Sequence, residues 1–219
     1  MQLKKKIARV MGLIEKHGWL GLIVKAEEKS TEPVNLKYRE QYQHFLPTEE
    51  ELEKERETAF SYLPKISVVV PTYMTPKKFL EELIESVLAQ TYPNWELCIA
   101  DGSLDDEVKA VVQSYMERDE RICYEKLADN TGISGNTNAG FAMASGEYIG
   151  LLDHDDLLTA NALFEVVKSL NQFVYEEQSD EKRLVVSEDM PQLFYSDEDK
   201  VSAEAEGYFE PHFKPDYND

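Results

Sequence analysis

Apolar and polar residues alternate along residues 65–173 in a pattern that predicts short strands separated by amphipathic helices. Short apolar runs bounded by turn residues predict strands, and apolar residues that recur every three or four positions predict helices. The strands predicted in this way cover residues 66–70, 95–100, 121–125 and 148–152. The predicted helices cover residues 76–88, 105–117, 135–144 and 159–173. Alternating strands and helices predict an α/β domain with a mostly parallel sheet and helices on both of its faces.

Local signals sharpen two of these elements. Thr75 and Pro76 predict the N-cap and the first helical position of the helix that follows the first strand, because proline is tolerated there. The apolar run YIGLL at 148–152 predicts a buried strand, and this strand ends abruptly at Asp153. Both the start of the helix and the burial of the strand are therefore expectations for the structure.

Residues 1–62 follow a different pattern, and their sequence contains no recognisable catalytic or ligand-binding motif. Apolar residues at helical spacing predict helices over 3–14 and 19–23, and a threonine followed by three glutamates predicts a capped polar helix over 48–62. We predict a helical extension and linker over 1–62 that packs on the main domain, which covers 63–219. The alternative is a surface for a partner, an acceptor or a second copy of the chain, because the first helix is basic and amphipathic on an acidic protein.

The acidic composition limits the ligands that this protein can bind. Among 219 residues, 43 are acidic and 23 are basic, which gives a formal net charge of −20. This charge repels nucleic-acid phosphates, so we exclude DNA and RNA as ligands. A ligand that carries phosphate would need a local counter-charge, such as a divalent cation or a group of backbone N–H donors.

The N-terminal sequence and the cysteines are typical of a cytoplasmic protein. Charged residues interrupt the first apolar stretch, so it is neither a signal peptide nor a transmembrane segment. Cys98 and Cys123 fall within predicted strands, which favours buried, reduced thiols over a disulfide. We expect a cytoplasmic location, with a peripheral position at the inner face of the membrane as the alternative.

A polar segment follows each of the four predicted strands. In a parallel sheet, the carboxyl ends of the strands meet at one edge, and ligands bind there. We therefore expect one rim to contain residues 71–73, 101–103, 129–136 and 153–156.

The acidic cluster Asp153, Asp155 and Asp156 is the strongest chemical signal in the sequence. Ionised carboxylates a few ångströms apart destabilise one another by about 4 kcal/mol per close pair at an effective dielectric near 20. A divalent cation reverses this effect, and hard oxygen ligands favour Mg²⁺ or Mn²⁺ over zinc. The alternative is that Asp155 or Asp156 caps the following helix while the other acids are solvated.

The other strand-end residues each allow two interpretations. Asp101 could accept a hydrogen bond from a base or a ribose, or it could simply form the turn before Gly102. Tyr73 could stack on a flat ring or pack against the protein. Gly132 and Gly135 would allow close backbone approach before a helix N-terminus, which is a candidate anion site.

Four segments follow one another along the chain: ISVVVPTYMTP, QTYPNWELCIADGS, DNTGISGNTNAG and GEYIGLLDHDD. Together, in this order, they resemble glycosyltransferase family 2. The later segments LFYSDEDK and PHFKPDYND resemble a bacterial branch of that family that acts on polysaccharides or glycoproteins. The resemblance covers about residues 62–219. It implies the GT-A fold, which binds nucleotide-diphospho-sugars, and inverting transfer of a hexose from a UDP-sugar to a glycan or glycoprotein acceptor.

The resemblance also implies a role for individual residues. Tyr73 would stack on uracil, Asp101 would accept a hydrogen bond from its N3–H, and Pro71 and Thr72 would shape the base pocket. The residues that would border the nucleotide and the donor sugar are Asn130, Gly132, Ser134 and Asn138. The residues that would hold Mn²⁺ or Mg²⁺ against the diphosphate are Asp153, Asp155 and Asp156, with Asp153 also touching the ribose.

The catalytic base is the least defined part of the resemblance. Asp197 and Glu198 would lie on the sugar side of the pocket, after a strand over 192–195, and they are our candidates; the alternative is a solvated acidic turn. Members of the family usually carry the presumed base further downstream, so we expect this chain to be the N-terminal portion of a longer enzyme. Thr137 stands where arginine is frequent in the family, so the resemblance implies one phosphate or sugar contact that this chain would lack.

Other functions are also compatible with parts of the pattern. The chain could be a donor-binding or assembly module that is inactive alone, with the N-terminal helices contacting a partner or a second copy. A haloacid-dehalogenase phosphatase is disfavoured, because the acidic cluster follows the fourth strand and lacks the residues expected after it. A nucleotidyltransferase is disfavoured, because no glycine-rich basic loop follows the first strand.

Overall fold

The computed structural model describes Tyr38 and residues 40–42, 46–177, 183–201 and 208–214. These residues fall into two compact units. One is 47–194, and the other joins the described residues of 1–46 to those of 195–219. The helices predicted over 3–14 and 19–23 lie outside the described residues, and the domain boundary at residue 62 stays a prediction.

Helices and strands alternate along the described chain as the sequence predicts. The helices are α1 (Glu49–Glu57), α2 (Lys77–Leu88), α3 (Glu107–Met116), α4 (Gly132–Met143) and α5 (Ala162–Asn171). The strands are β1 (Ile66–Thr72), β2 (Trp95–Asp101), β3 (Ile122–Lys126), β4 (Tyr148–Leu151), β5 (Val174–Glu177), β6 (Arg183–Val186), β7 (Glu198–Val201) and β8 (Tyr208–His212).

Strands β1 to β4 form one parallel sheet in the order β3-β2-β1-β4. The chain moves outward through α2 and α3 and returns across the sheet through α4, so right-handed crossovers place α4 on the opposite face. Gly140 of α4 contacts Val69 so closely that an added Cβ would lie 2.5 Å from the valine Cγ1. Val68 and Val70 point to the other face and share a core with α2, α3 and α5. The predicted α/β architecture with helices on both faces is confirmed.

Strand β4 is less buried than its apolar sequence suggests. Ile149 and Leu151 are 46% and 65% exposed, although β1 and β2 are almost entirely buried. The reason is position, because among the described residues β4 pairs only with β1 and so lies at an edge of the sheet, while α4 packs over β1 and β2. The prediction of a buried strand over 148–152 is wrong.

Other predicted element boundaries and one predicted strand are also wrong. α1 ends at Glu57 instead of residue 62, since Thr58 leaves the helical conformation and its hydroxyl and N–H bond to the last carbonyls. α2 begins at Lys77 with Pro76 as its N-cap, so Thr75 does not cap it. Residues 192–195 form no strand; regular pairing begins at β7, where β8 supplies the partner.

Both cysteines are free thiols in the described structure. Cys98 is buried on β2, and Cys123 is its partly buried register partner on β3. Burial raises the pKa of the Cys98 thiol to about 12. The prediction of reduced thiols agrees with this arrangement, although the edge position of β3 leaves Cys123 less buried than expected.

A buried carboxylate joins the amino ends of three strands. Glu96 of β2 is 5% exposed. It accepts hydrogen bonds from the Ser67 hydroxyl and the Ser145 backbone N–H, each at 2.6 Å, and it pairs with the Lys65 ammonium group. The Gly146 N–H donates to the Ser67 hydroxyl at 2.8 Å, which extends the network to the start of β4. Burial alone would raise the pKa of Glu96, but these hydrogen bonds lower it to about 2.

The second unit contains the antiparallel strand pair β7–β8. The Tyr38 hydroxyl donates to the Asp199 carboxylate at 2.6 Å, and the Tyr42 ring stacks on Tyr208 with centroids 3.8 Å apart. Residues from both ends of the chain therefore share this unit. None of the helices in the described part of the chain is both long and apolar enough to cross a membrane.

Candidate active site

The carboxyl ends of β1, β2 and β3 place three side chains in one row. Thr72 is the register partner of Asp101, and Asp101 is the register partner of Lys126. β4 reaches the same edge, because the Leu152 N–H donates to the Val69 carbonyl at 3.1 Å just before the acidic cluster begins. The strand order reverses between β1 and β4, and such a switch point is where open α/β sheets bind ligands.

Asp101 is fully buried at the centre of this row. Its Oδ1 accepts hydrogen bonds from the Ser103 N–H at 2.8 Å and the Thr72 hydroxyl at 3.3 Å. Its Oδ2 accepts hydrogen bonds from the Tyr124 hydroxyl at 2.7 Å and the Lys126 ammonium group at 3.1 Å. Burial alone would raise the pKa of Asp101, but hydrogen bonds from Ser103, Tyr124 and Lys126 outweigh it and hold the pKa below its usual value.

The bonds around Asp101 show how it shapes the rim. The contact with the Ser103 N–H closes the turn that follows β2, as the turn-forming interpretation of Asp101 predicts. The four donors occupy all the lone-pair sites that a carboxylate offers. Asp101 therefore fixes the positions of three strand ends.

The loop after β1 presents the exposed aromatic ring of the rim. Tyr73 is 42% exposed. Met74 adopts a φ of 52°, which is uncommon for a residue with a side chain, and its N–H donates to the Ser103 hydroxyl at 2.7 Å. The turns after β1 and β2 are therefore joined directly. Pro71 lies within β1 and is partly buried.

The segment before α4 is organised by two asparagine side chains. The Asn136 amide is buried and donates to Asn130 Oδ1 at 3.1 Å, and the Gly132 N–H donates to the same oxygen at 3.0 Å. Gly132 has a φ of 78°, which suits glycine. A Cβ on Gly102 would lie 2.7 Å from the Asn136 amide nitrogen, so this segment packs tightly against the turn after β2.

Helix α4 begins at Gly132, three residues earlier than predicted, so some residues expected in a loop lie in its first turns. Ser134 and Asn138 are exposed and four residues apart, which places them on the same face of the helix. The Thr137 hydroxyl donates to the Ile133 carbonyl at 2.7 Å instead of reaching outward.

The acidic cluster forms a turn that follows β4. The Asp156 N–H donates to the Asp153 carbonyl at 3.1 Å. The Asp153 and Asp155 side chains are exposed, and His154 Nδ1 lies 4.0 Å from Asp155 Oδ1. α5 begins at Ala162 without a side-chain cap, so the alternative that an aspartate of the cluster caps this helix is wrong.

The acidic cluster fits an open cation site that phosphate and water complete, and it does not fit a site made of protein ligands alone. No three His, Cys, Asp or Glu side chains in the described residues are arranged to hold a metal by themselves. However, Mg²⁺ is usually held by one or two carboxylates, with the other ligands coming from phosphate and water. The exposed oxygens of Asp153 and Asp155 fit such an open site, and the ligand roles of the three aspartates stay predictions.

The candidate bases, Asp197 and Glu198, lie in the second unit. Asp197 Oδ1 accepts a hydrogen bond from the Lys214 N–H at 2.7 Å, and the Glu198 carboxylate pairs with the Lys214 ammonium group at 3.0 Å. Both acids are exposed. Their catalytic roles stay predictions, and the structure adds Lys214 as their common partner.

Tyr124 and Lys126 are rim residues that were not predicted from the sequence. The available signal was their spacing, because residues two apart on a strand point to the same face. A tyrosine and a lysine at the carboxyl end of β3 could therefore have been expected to meet the neighbouring aspartate of β2.

Comparison with known proteins identifies the family of this domain. Residues 67–175 match the sequence model of the family described as glycosyl transferase family 2. The uncharacterized protein y4gI of Sinorhizobium fredii is 42% identical over 156 residues, which are 71% of this chain and 15% of that protein. The GalNAc(5)-diNAcBac-PP-undecaprenol beta-1,3-glucosyltransferase of Campylobacter jejuni is 38% identical over 112 residues, which are 50% of this chain and 36% of that enzyme.

A solved structure with a related chain is that of S. aureus TarS in complex with UDP. It is 26% identical to this chain with a TM-score of 0.46, and the match covers 50% of this chain and 32% of that one. The chain thus spans well under half the length of each of these three proteins. Through residues 67–175, this chain belongs to glycosyl transferase family 2.

Proposed function

We propose that this chain binds a UDP-sugar together with Mn²⁺ or Mg²⁺ and transfers the hexose, with inversion, to a glycan or glycoprotein acceptor. The observation that carries the proposal is the meeting of the polar strand-end segments at one edge of the sheet, within a family 2 domain. This edge includes the switch point between β1 and β4, where ligands of parallel sheets bind. Its exposed acids would hold the divalent cation through which an acidic protein can bind phosphate.

The nucleotide base would occupy the rim beside Asp101. The exposed ring of Tyr73 offers a stacking surface, and Pro71 and Thr72 at the end of β1 would form the adjacent wall. An N3–H group of uracil would have to replace one of the four donors to Asp101. The Thr72 hydroxyl makes the longest of these bonds, at 3.3 Å, so it is the donor that we expect the base to displace.

The diphosphate and sugar would lie between the N-terminus of α4 and the acidic turn. A helix N-terminus attracts negative charge through its free N–H groups and its dipole. Asn130, Gly132, Ser134 and Asn138 are exposed there and would border the ligand.

The acidic turn would hold the cation through Asp153, Asp155 and Asp156. When bound, the cation acts as a Lewis acid that stabilises the negative charge of the departing UDP. The protein contributes the placement of the turn, which is set by the pairing of β4 with β1 before it.

The acceptor hydroxyl would lose its proton to a carboxylate as it attacks the anomeric carbon. Asp197 and Glu198 are the candidates for this role. Lys214 bonds to both of them in the structure, and it would have to release the acting carboxylate. This engagement favours a second candidate function, in which the chain binds the donor without transferring the sugar.

Calorimetric titration of UDP with and without Mn²⁺ tests donor binding. We expect Mn²⁺ to strengthen UDP binding by the wild-type chain and to have a much smaller effect on Asp155→Ala. Asp189→Ala is the matched control, because it removes an exposed aspartate from the turn after β6. Unchanged metal dependence in Asp155→Ala would show that the acidic turn does not hold the cation.

Transfer and hydrolysis of radiolabelled UDP-sugars separate the two candidate functions. Turnover that is lost in Asp197→Asn or Glu198→Gln supports transfer by this chain. Metal-dependent UDP binding without turnover supports the donor-binding module. The hexose, the glycan or glycoprotein acceptor and the cytoplasmic location stay predictions.

A further inference from the structure

The segment that follows the acidic turn is fastened by the end of α2. The Leu158 N–H donates to the Ser86 hydroxyl at 3.2 Å, and the Thr91 N–H donates to the Ala160 carbonyl at 2.8 Å. The segment between Asp156 and α5 thus forms hydrogen bonds with residues at the end of α2, about 70 residues earlier in the sequence. It has no regular secondary structure of its own to fix its path.

Gln90 makes the densest set of these contacts. It is 7% exposed, and its amide nitrogen donates to the Thr159 carbonyl at 2.7 Å and to the Ser86 carbonyl at 3.0 Å. Its amide oxygen accepts a hydrogen bond from the N–H of Leu163, in the first turn of α5, at 3.0 Å. One buried side chain therefore fixes both the segment and the start of the helix that follows it.

Glu55 of α1 supports this arrangement from outside the part of the chain that matches the family. One of its carboxylate oxygens accepts a hydrogen bond from the Thr91 hydroxyl at 2.8 Å, and the other accepts one from the Asn161 amide at 3.4 Å. α1 is held in place by the adjacent Leu52, which is buried. The helix before the family-matched region thus contacts both the end of α2 and the segment after the acidic turn.

The acidic turn is therefore anchored on both sides. Before it, the Leu152 N–H bonds to the Val69 carbonyl, and after it the Leu158 N–H bonds to Ser86. We propose that Gln90 is a positioning residue for the acidic turn and that Glu55 is its support, so that both set how well the turn holds a cation against a diphosphate. This inference rests on the proposed function, and it adds residues that touch neither the cation nor the nucleotide.

A positioning residue and a residue that only stabilises the fold would affect UDP binding in different ways. A residue that positions the acidic turn must affect the coupling between Mn²⁺ and UDP, and it must leave the metal-free affinity for UDP unchanged. A residue that only stabilises the fold would lower both affinities together or neither. The coupling is the ratio of UDP affinities in saturating Mn²⁺ and in EDTA.

The test is Gln90→Met, which keeps the length of the side chain and removes its three hydrogen bonds. We expect it to lower the coupling roughly tenfold, while the UDP affinity in EDTA stays within about twofold of wild type. The matched control is Gln113→Met on the exposed face of α3. Ser67→Ala, at the opposite edge of the sheet, controls for a general loss of stability.

A second variant keeps the test decisive if Gln90→Met does not fold. Glu55→Met removes the support from α1 and should lower the coupling roughly threefold, with Glu53→Met, exposed on the same helix, as its control. The proposal is overturned if a variant that folds keeps the wild-type coupling. It is also overturned if that variant loses UDP affinity equally in EDTA and in Mn²⁺. Absence of coupling in the wild-type chain overturns the proposed function itself, and that outcome is distinguishable because it needs no variant.

Discussion

Glu96→Gln should destabilise the protein in a way that depends on pH. The carboxylate of Glu96 is buried among the Lys65 ammonium group, two hydroxyls and the Ser145 N–H at the amino ends of β1, β2 and β4. Glutamine keeps the shape and can still accept hydrogen bonds, but it loses the negative charge. Its amide nitrogen must also face a lysine that offers only donors.

The magnitude follows from the pKa of the carboxyl group. A glutamate whose pKa falls from 4.5 to about 2 on folding stabilises the folded state by roughly 3 kcal/mol at neutral pH. The folded-state pKa is depressed, so this stabilisation is fully present above about pH 4.5 and is lost as the pH falls toward 2. The difference in unfolding free energy between wild type and Glu96→Gln should therefore be constant near neutral pH and shrink below pH 4.5.

Urea unfolding followed by the fluorescence of Trp95 measures this difference, because Trp95 is buried next to Glu96 at the start of β2. A Trp19→Phe background in both proteins leaves Trp95 as the only tryptophan. With an m-value of about 2 kcal/mol per molar, the midpoint at pH 7 should fall by about 1.5 M. Glu125→Gln, exposed on β3, is the control and should shift the midpoint little. A difference between wild type and Glu96→Gln that is the same at pH 7 and pH 3 would refute the reasoning.

Three further predictions concern packing and the rim, each measured by urea unfolding. Gly140→Ala should lower the free energy of unfolding by roughly 1–3 kcal/mol, because the new Cβ would lie 2.5 Å from the Cγ1 of Val69. An unchanged free energy would mean that α4 can shift away from the sheet. Leu151→Ala should lower the free energy of unfolding by less than about 1 kcal/mol and Leu97→Ala by about 3 kcal/mol, since Leu151 is 65% exposed and Leu97 is fully buried. Equal losses would contradict the exposed face of β4. Asp101→Asn should cost roughly 3 kcal/mol, because it leaves an amide facing two donors in a buried site; a cost below 1 kcal/mol would mean that the donors around Asp101 rearrange freely.

The predictions that the structure confirms depend on residues that are close to one another in the sequence. The alternation of apolar runs and helical periods locates the sheet, because these patterns reflect the faces that each element buries. The rule that ligands bind at strand ends then brings Thr72, Asp101 and the acidic turn to one edge without any tertiary information. The turn that Asp101 forms with Ser103 is equally local, since its partner is two residues away.

Contacts between distant residues explain where prediction failed. An apolar sequence at 148–152 predicts burial, but whether a strand lies inside a sheet or at its edge depends on which strands pair with it. In the same way, Gln90 looks like an ordinary polar residue at the end of a helix, and its partners Thr159 and Leu163 lie about 70 residues away.

The sequence by itself determined the class of fold, the edge of the sheet where the polar strand-end residues meet and the family to which residues 67–175 belong. These features follow from local periodicity and from short ordered motifs. Only the tertiary structure decided that Asp101 is already surrounded by four donors, that β4 lies at an edge and that α2 and α1 fasten the segment after the acidic turn. The physical reason is that hydrogen-bond satisfaction and burial depend on neighbours that the fold brings together from distant parts of the chain.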